Sequence, residues 1–283
     1  MGRLPPTGLV LAAVASVQFG AALAKTLFDD LGPGGTVFLR VLFAALLLLV
    51  LWRPRVGGRP RRDLALAAAF GVSLAGMNLS FYGALDRIPL GVAVTFEFVG
   101  PLGVAVVGSR RALDLLWVVL AAAGILLLSD FGDFAGLDSG GVGLALLAGG
   151  FWAAYILLSA RIGRVFSGGS GLALAMVVAS VLLVPVGVAD GGDALLQPGL
   201  LALGAAVAML SSAVPYSLEL EALRRLPEPV FGVLMSLEPA VAALAGFVVL
   251  GQDLRARELV AILLVVAASA GAARGAPAAP RDA

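Results

Sequence analysis

The chain has 283 residues, of which 60% are hydrophobic and 13% charged, with a mean hydropathy of +1.04. A soluble globular domain is about half apolar and about a quarter charged, so this chain cannot cover a water-facing surface and reads as a multi-spanning membrane protein. Its 19 Lys/Arg nearly balance its 18 Asp/Glu, no basic block suits nucleic acid, and the absence of Cys and His excludes disulfides, thiolates, imidazole bases and the commonest metal ligands.

A bilayer core needs about 20 apolar residues per helix. Ten runs approach that length, at about 7–24, 34–52, 64–85, 90–108, 114–129, 141–160, 171–189, 199–221, 229–250 and 258–273. The predicted fold is all-α and polytopic, with ten transmembrane helices. Connections are short, so no soluble domain fits between them. With a cytoplasmic N-terminus, fourteen cations fall in the inner segments, four (Lys25, Arg87, Arg255 and Arg257) in the outer ones, and Arg40 within the second span. That bias predicts both termini on the cytoplasmic side. The outer stretches "DFGDFAGLDSG" (130–140) and "DGGDALLQPG" (190–199) are acidic, as the orientation requires, while "GQDLRARE" (251–258) fits less well. Ala22–Ala24 reads "ALA", a signal-peptidase-like site, but cleavage there would leave nine spans and reverse the charge pattern.

The two halves are related. A shift of 138 residues aligns Met77–Gly108 with Pro215–Gly246 without a gap, and brings Arg87 onto Arg225, Pro89 onto Pro227, Pro101 onto Pro239 and Gly108 onto Gly246. Residues 1–130 and 131–283 are therefore expected to form two five-helix repeats. Five is odd, so the second copy enters the membrane upside down. Inverted repeats are a layout of secondary transporters, whose site lies where the repeats meet near the midplane.

Several blocks carry a family resemblance: "SVQFGAALAKTLF" (16–28), "GMNLSFYGALDRIPLGVAVTFEFVGPLGVAVVGSRRALD" (76–114), "SSAVPYSLELEALRRLP" (211–227) and "FGVLMSLEPAVAALAGFVVLG" (231–251). The chain resembles the threonine/homoserine exporter family, of the EamA type within the drug/metabolite transporter superfamily. "EFVGPL", "SRRALD" and "LMSLEPA" are the most specific of these blocks. The resemblance implies ten helices, a bacterial inner (plasma) membrane location and export of small amino acids or related metabolites. It does not assign a site residue by residue.

The residues themselves suggest one. A carboxylate in the middle of a span is costly unless it is paired, neutralised or facing a wet cavity, and intramembrane ionisable groups are usually functional. Glu97 is such a group, a candidate for proton coupling or for an ammonium contact; the alternative is a Glu stapling two helices. Pro101 removes the hydrogen bond to the Glu97 carbonyl four residues back, so carboxylate and kink together are expected to form a polar notch. "SLEPA" repeats the device with Glu238 beside Pro239, although the 138-residue counterpart of Glu97 is Met235. Arg40 is a permanent cation about 9 Å of helix rise into the second span, suited to a substrate carboxylate, to an acidic partner, or to reaching the outer interface. Asn78 and Tyr82 share one face of the third span at i and i+4, and Tyr216 is the counterpart of Asn78. Gln18, Trp152 and Tyr155 add polar tips, Glu219 is a further cavity-facing candidate, and Glu221 reads as an interfacial ion. Each polar residue alone suits a helix–helix hydrogen bond; together they are candidates to line a cavity.

Glycine is abundant at 37 residues, and its GxxxG spacings argue close helix packing and allow a homodimer. "GLDSGGVG" lacks the lysine and context of a phosphate loop, so neither nucleotide binding nor a primary pump is expected. The reading is a secondary transporter working by alternating access, proton-coupled or driven by its substrate gradient. It needs no cofactor or metal, and its partners are an amino-acid-like small molecule, the lipid bilayer and protons. A carrier of phosphorylated metabolites or nucleotide sugars would want several converging cations where the span interiors offer chiefly Arg40. A membrane-embedded enzyme would want a His or a compact acidic pair.

Overall fold

The structure is a computed structural model describing residues 5–85, 87–88, 90–128, 138–241 and 256–275. Pro89, the boundary expected at 130/131, the outer segment from 251 to 255 and the carboxy-terminal tail lie outside the described residues, as does the side chain of Lys25.

Helices follow the apolar runs. They are α1 (Pro6–Lys25), α2 (Phe28–Trp52), α3 (Arg61–Leu85), α4 (Leu90–Glu97), α5 (Val99–Gly108), α6 (Ala112–Leu128), α7 (Ser139–Val165), α8 (Ser170–Gly191), α9 (Pro198–Ala208), α10 (Val214–Leu223), α11 (Glu228–Met235) and α12 (Ala256–Gly275). No strand occurs among the described residues. Starts are marked by proline in the first turn of α1, α9, α10 and α11. Asp138 caps α7, accepting from the Gly141 N–H at 2.6 Å. Five helical runs are long and apolar enough to cross a membrane by length and composition, and four shorter apolar helices accompany them. Because α4 and α5 make one crossing, as do α9 and α10, these elements form ten crossings, the ninth described as far as residue 241.

The second crossing is preceded by a short helical segment from Phe28. The chain turns sharply at Gly32, whose φ of 64° a side chain would resist, and the span itself runs from Pro33, close to the expected start. Asp190, from the end of α8, supplies the acceptor that restarts the helix, taking the Gly34 N–H at 2.9 Å. Arg40 lies six residues beyond Gly34, and its guanidinium turns into the bundle toward Asn78.

Packing follows a pattern of exchange. The principal neighbours include α2 with α8, α3 with both α7 and α8, α6 with α12, α1 with α10 and α5 with α11. Numbered as crossings, these are 2 with 7, 3 with both 6 and 7, 5 with 10, 1 with 8 and 4 with 9. Swapping each crossing for the one five later maps 2–7, 4–9 and 5–10 onto themselves and turns 1–8 into 6–3. Such a set of contacts is what two related five-helix units produce. Local geometry agrees. Phe98 departs from helical ψ (φ −64°, ψ −14°) three residues before Pro101, and Ser236 does the same (φ −61°, ψ −13°) three residues before Pro239.

The surface is apolar where lipid would lie. Val50, Val72, Val119, Val181 and Leu263 are exposed at midspan or on outward faces, whereas Asn78, Glu219 and a set of serines are buried. That inverts the soluble-protein pattern, as a hydrocarbon solvent requires.

Candidate functional site

Polar side chains from six crossings meet inside the bundle. The Arg40 guanidinium on α2 donates through Nη2 to Asn78 Oδ1 on α3. The amide of Asn78 also donates to the Leu74 carbonyl at 2.8 Å, which holds its orientation. Tyr216 on α10 lies beside Asn78 and within electrostatic range of Arg40. Glu238 interacts electrostatically with Tyr216, with Glu219 and with Glu97 on α4. Tyr155 on α7 donates its hydroxyl to Glu219 Oε2 at 2.7 Å. Glu238 thus links the three carboxylates, which come from both halves of the chain, and Tyr216 lies within electrostatic range of both Arg40 and two of these acids.

Local sequence explains how each group arrives there. On α7, Trp152, Tyr155 and Ser159 follow i, i+3, i+7 spacing and form one face. Trp152 meets Phe98 edge-on at 4.9 Å, and Tyr155 lies 5.3 Å from Phe70 and 5.6 Å from Tyr216. These rings wall the polar cluster on one side. On the eighth crossing Pro215 has no N–H to give the Ser211 carbonyl, and the helix widens to a π-turn over Met209–Ala213, closed by the Val214 N–H on the Met209 carbonyl. The turn shifts Tyr216 and Glu219 by one residue in register relative to α9. Ser16 of α1 donates to the Leu210 carbonyl in this turn at 2.6 Å.

The sequence-derived candidates divide. Arg40, Asn78, Tyr216, Tyr155, Glu97 and Glu238 are brought together, and Glu219 joins them. Gln18 reaches the same crossing by donating to the Glu238 backbone carbonyl at 3.4 Å. Tyr82 sits one turn further along α3, in an aromatic group with Phe28 at 6.2 Å and Phe81 at 6.1 Å, outside the carboxylate cluster. Trp152 contributes as a wall rather than as a polar contact. Glu221 pairs with Arg224 at 2.9 Å and with Arg225 at the end of α10.

The kinks act differently from the expected notch. The carbonyl of Glu97 faces the Cα of Gly149, where an added Cβ would come within 2.6 Å of it, and the Pro101 carbonyl faces Gly232 in the same way. Pro101 frees the first of these carbonyls, and at both places glycine on the neighbouring helix lets the backbones approach closely. They serve helix–helix contact and do not line the cluster.

Among the described residues, four buried side-chain atoms have no hydrogen-bond partner: Arg40 Nε, Ser159 Oγ, Ser211 Oγ and Ser212 Oγ. Buried polar atoms are nearly always satisfied, so these hydrogen-bonding positions are open to a ligand or water. The serines were not singled out from sequence; "SSAVP", a polar pair four residues before a proline in an apolar run, is the signal that would have found them. Glu97, Glu238 and Arg40 keep intermediate accessibility although they lie within the bundle. The arrangement can hold a molecule bearing both charges: carboxylates for a cationic group, and Arg40 with its unused Nε–H for an anionic one.

Comparison with known proteins fits this geometry. A model of the EamA-like transporter family matches residues 139–274. Proteins named threonine/homoserine exporter RhtA, from Salmonella typhimurium LT2 and Escherichia coli K12, are each 44% identical over 270 residues, covering 94% of this chain and 90% of theirs. A crystal structure of a protein 18% identical in sequence shares the fold, with a TM-score of 0.78 over 94% of this chain and 96% of that chain. The chain is a membrane transport protein and not an enzyme; by its identity to these relatives along nearly its whole length, it belongs to the threonine/homoserine exporter family of EamA-type transporters.

Proposed function

We propose that this protein exports small zwitterionic amino acids of the threonine and homoserine kind across a bacterial inner membrane by alternating access. The observation that carries the reading is that Tyr216 lies within electrostatic range of Arg40, Glu219 and Glu238, and Glu238 within range of Glu97, among helices of both halves. The substrate carboxylate binds the Arg40 fork, whose Nε–H has no partner among the described residues. Its ammonium takes a place among the carboxylates, with Glu97 and Glu238 as the nearest pair. A side-chain hydroxyl would find matching groups in the serines of the π-turn.

The balance of charge supports proton coupling. Three carboxylates against one guanidinium leave excess negative charge in a low-dielectric interior, which must be offset by protons or by a cation. A substrate ammonium and a proton then compete for the same sites, the elementary condition for exchange. In this proposal residues 1–130 and 131–283 are the two repeats, both termini are cytoplasmic, and rocking of one repeat against the other opens the cluster alternately to each side.

Efflux of radiolabelled threonine and homoserine from proteoliposomes tests the reading. Saturable transport of either, competed by the other and blocked in Arg40→Gln, supports it; transport of a phosphorylated metabolite with indifference to amino acids overturns it. Arg40 is the single cation of the cluster among the described residues, too few for a phosphate carrier.

A further inference from the structure

A cavity lies away from the polar cluster, at the end of the bundle that carries most of the arginines. It has a volume of about 510 Å³ and opens between the end of α5, the starts of α6 and α11, and the end of α12. Its walls are apolar, formed by Ala105, Val118, Val230, Val233 and Ala272 with the ring of Trp117. Its rim is basic. Arg110 and Arg111 stand exposed there, and among the described residues neither guanidinium has a partner. The rim also holds two carboxylates, each already engaged. Asp114 Oδ2 accepts the backbone N–H groups of Arg110 and Arg111 at 3.2 and 3.0 Å, capping the turn into α6. Glu228 is paired with Arg164 at 2.9 Å.

We propose that this cavity binds one anionic phospholipid, its phosphate on Arg110 and Arg111 and an acyl chain along the apolar wall beside Trp117. Charge and shape argue for that occupant together. Two unpaired guanidiniums match a phosphate, basic pockets between transmembrane helices on the cytoplasmic side suit anionic headgroups, and a soluble anion would have no use for the apolar wall. The volume falls within the range of built ligand pockets. The position has a consequence for movement. The cavity separates α5 from α6 and α12 at the end where α5 meets α11, and these two helices belong to the crossings that carry Glu97 and Glu238. A lipid seated there wedges against both.

The test is native mass spectrometry of the full chain taken from vesicles containing equal parts phosphatidylglycerol and phosphatidylcholine. One phosphatidylglycerol is expected to remain on the wild type, and its retention to fall by about thirtyfold in Arg110→Gln/Arg111→Gln, the loss of two surface cations at tenfold per 1.4 kcal/mol. Both positions are exposed, so the variant is expected to fold, and an unchanged thermal midpoint in phosphatidylcholine alone verifies it. The Arg110→Lys/Arg111→Lys variant keeps the charges and is expected to retain the lipid. Equal retention of the two lipids, equal retention by wild type and the glutamine variant, or displacement of the lipid by millimolar inorganic phosphate would each overturn the proposal.

Discussion

Tyr155 and Glu219 are joined by a 2.7 Å hydrogen bond across two helices, with the tyrosine donating and the carboxylate accepting. The bond fixes one of three acids in the cluster and ties α7 to α10. Both residues are buried, so removing the donor leaves a buried acceptor unsatisfied. Tyr155→Phe is expected to lose about 1–2 kcal/mol of stability, seen as a lower thermal midpoint in detergent, and to slow transport without abolishing insertion. Glu219→Gln preserves an acceptor for the tyrosine and is expected to keep the midpoint while altering transport, which separates the structural part of the contact from its charge.

Arg40 bears the proposed contact with the substrate carboxylate. A hydrogen bond to a charged group contributes about 1.5–3 kcal/mol, so Arg40→Gln is expected to raise the substrate concentration for half-maximal efflux by about ten- to a hundredfold. Arg40→Lys keeps the charge but loses the planar fork and is expected to fall between. Equal kinetics for the three proteins would remove Arg40 from binding.

Glu97 is the acid whose proton the coupling needs. Glu97→Gln is expected to insert normally, and any efflux it retains to be indifferent to an imposed pH gradient, whereas the wild type responds. Proteoliposome efflux with and without that gradient measures it. A wild-type response in the variant would reduce Glu97 to a packing residue.

Gly149 and Gly150 are neighbours on α7 with opposite surroundings. A Cβ at Gly149 would press on the Glu97 carbonyl at 2.6 Å, while one at Gly150 meets nothing within 4 Å. Gly149→Ala is expected to cost about 1–3 kcal/mol as overpacking, and Gly150→Ala to be neutral or slightly stabilising. Thermal midpoints of the two variants check both.

Much of this was legible in the residues. The ten apolar runs, the paired prolines Pro101 and Pro239, and the isolated charges Glu97, Glu238 and Arg40 all stand out against hydrocarbon, where any polar atom needs a reason. Three features were not. The sequence left open where Arg40 reaches; its hydrogen bond to Asn78 on α3 ties it into the bundle. The Glu97 carbonyl freed by Pro101 looked available to a ligand, but Gly149 on α7 packs against it. Ser211 and Ser212 drew no attention because serine is common in membrane helices; only the π-turn made by Pro215 leaves their hydroxyls buried without partners. For Arg40 and Glu97 a contact between distant segments decided the outcome; for the serines it was the nearby proline.

The central claim is that Glu97 and Glu238 face one water-accessible chamber between the halves. The chain contains no cysteine, so Glu97→Cys and Glu238→Cys each provide a single thiol, and Val181→Cys, exposed on a lipid-facing helix, provides the control. Reaction with a charged, membrane-impermeant methanethiosulfonate in proteoliposomes is expected at 97 and 238 and not at 181. Inert thiols at both 97 and 238 would contradict the account.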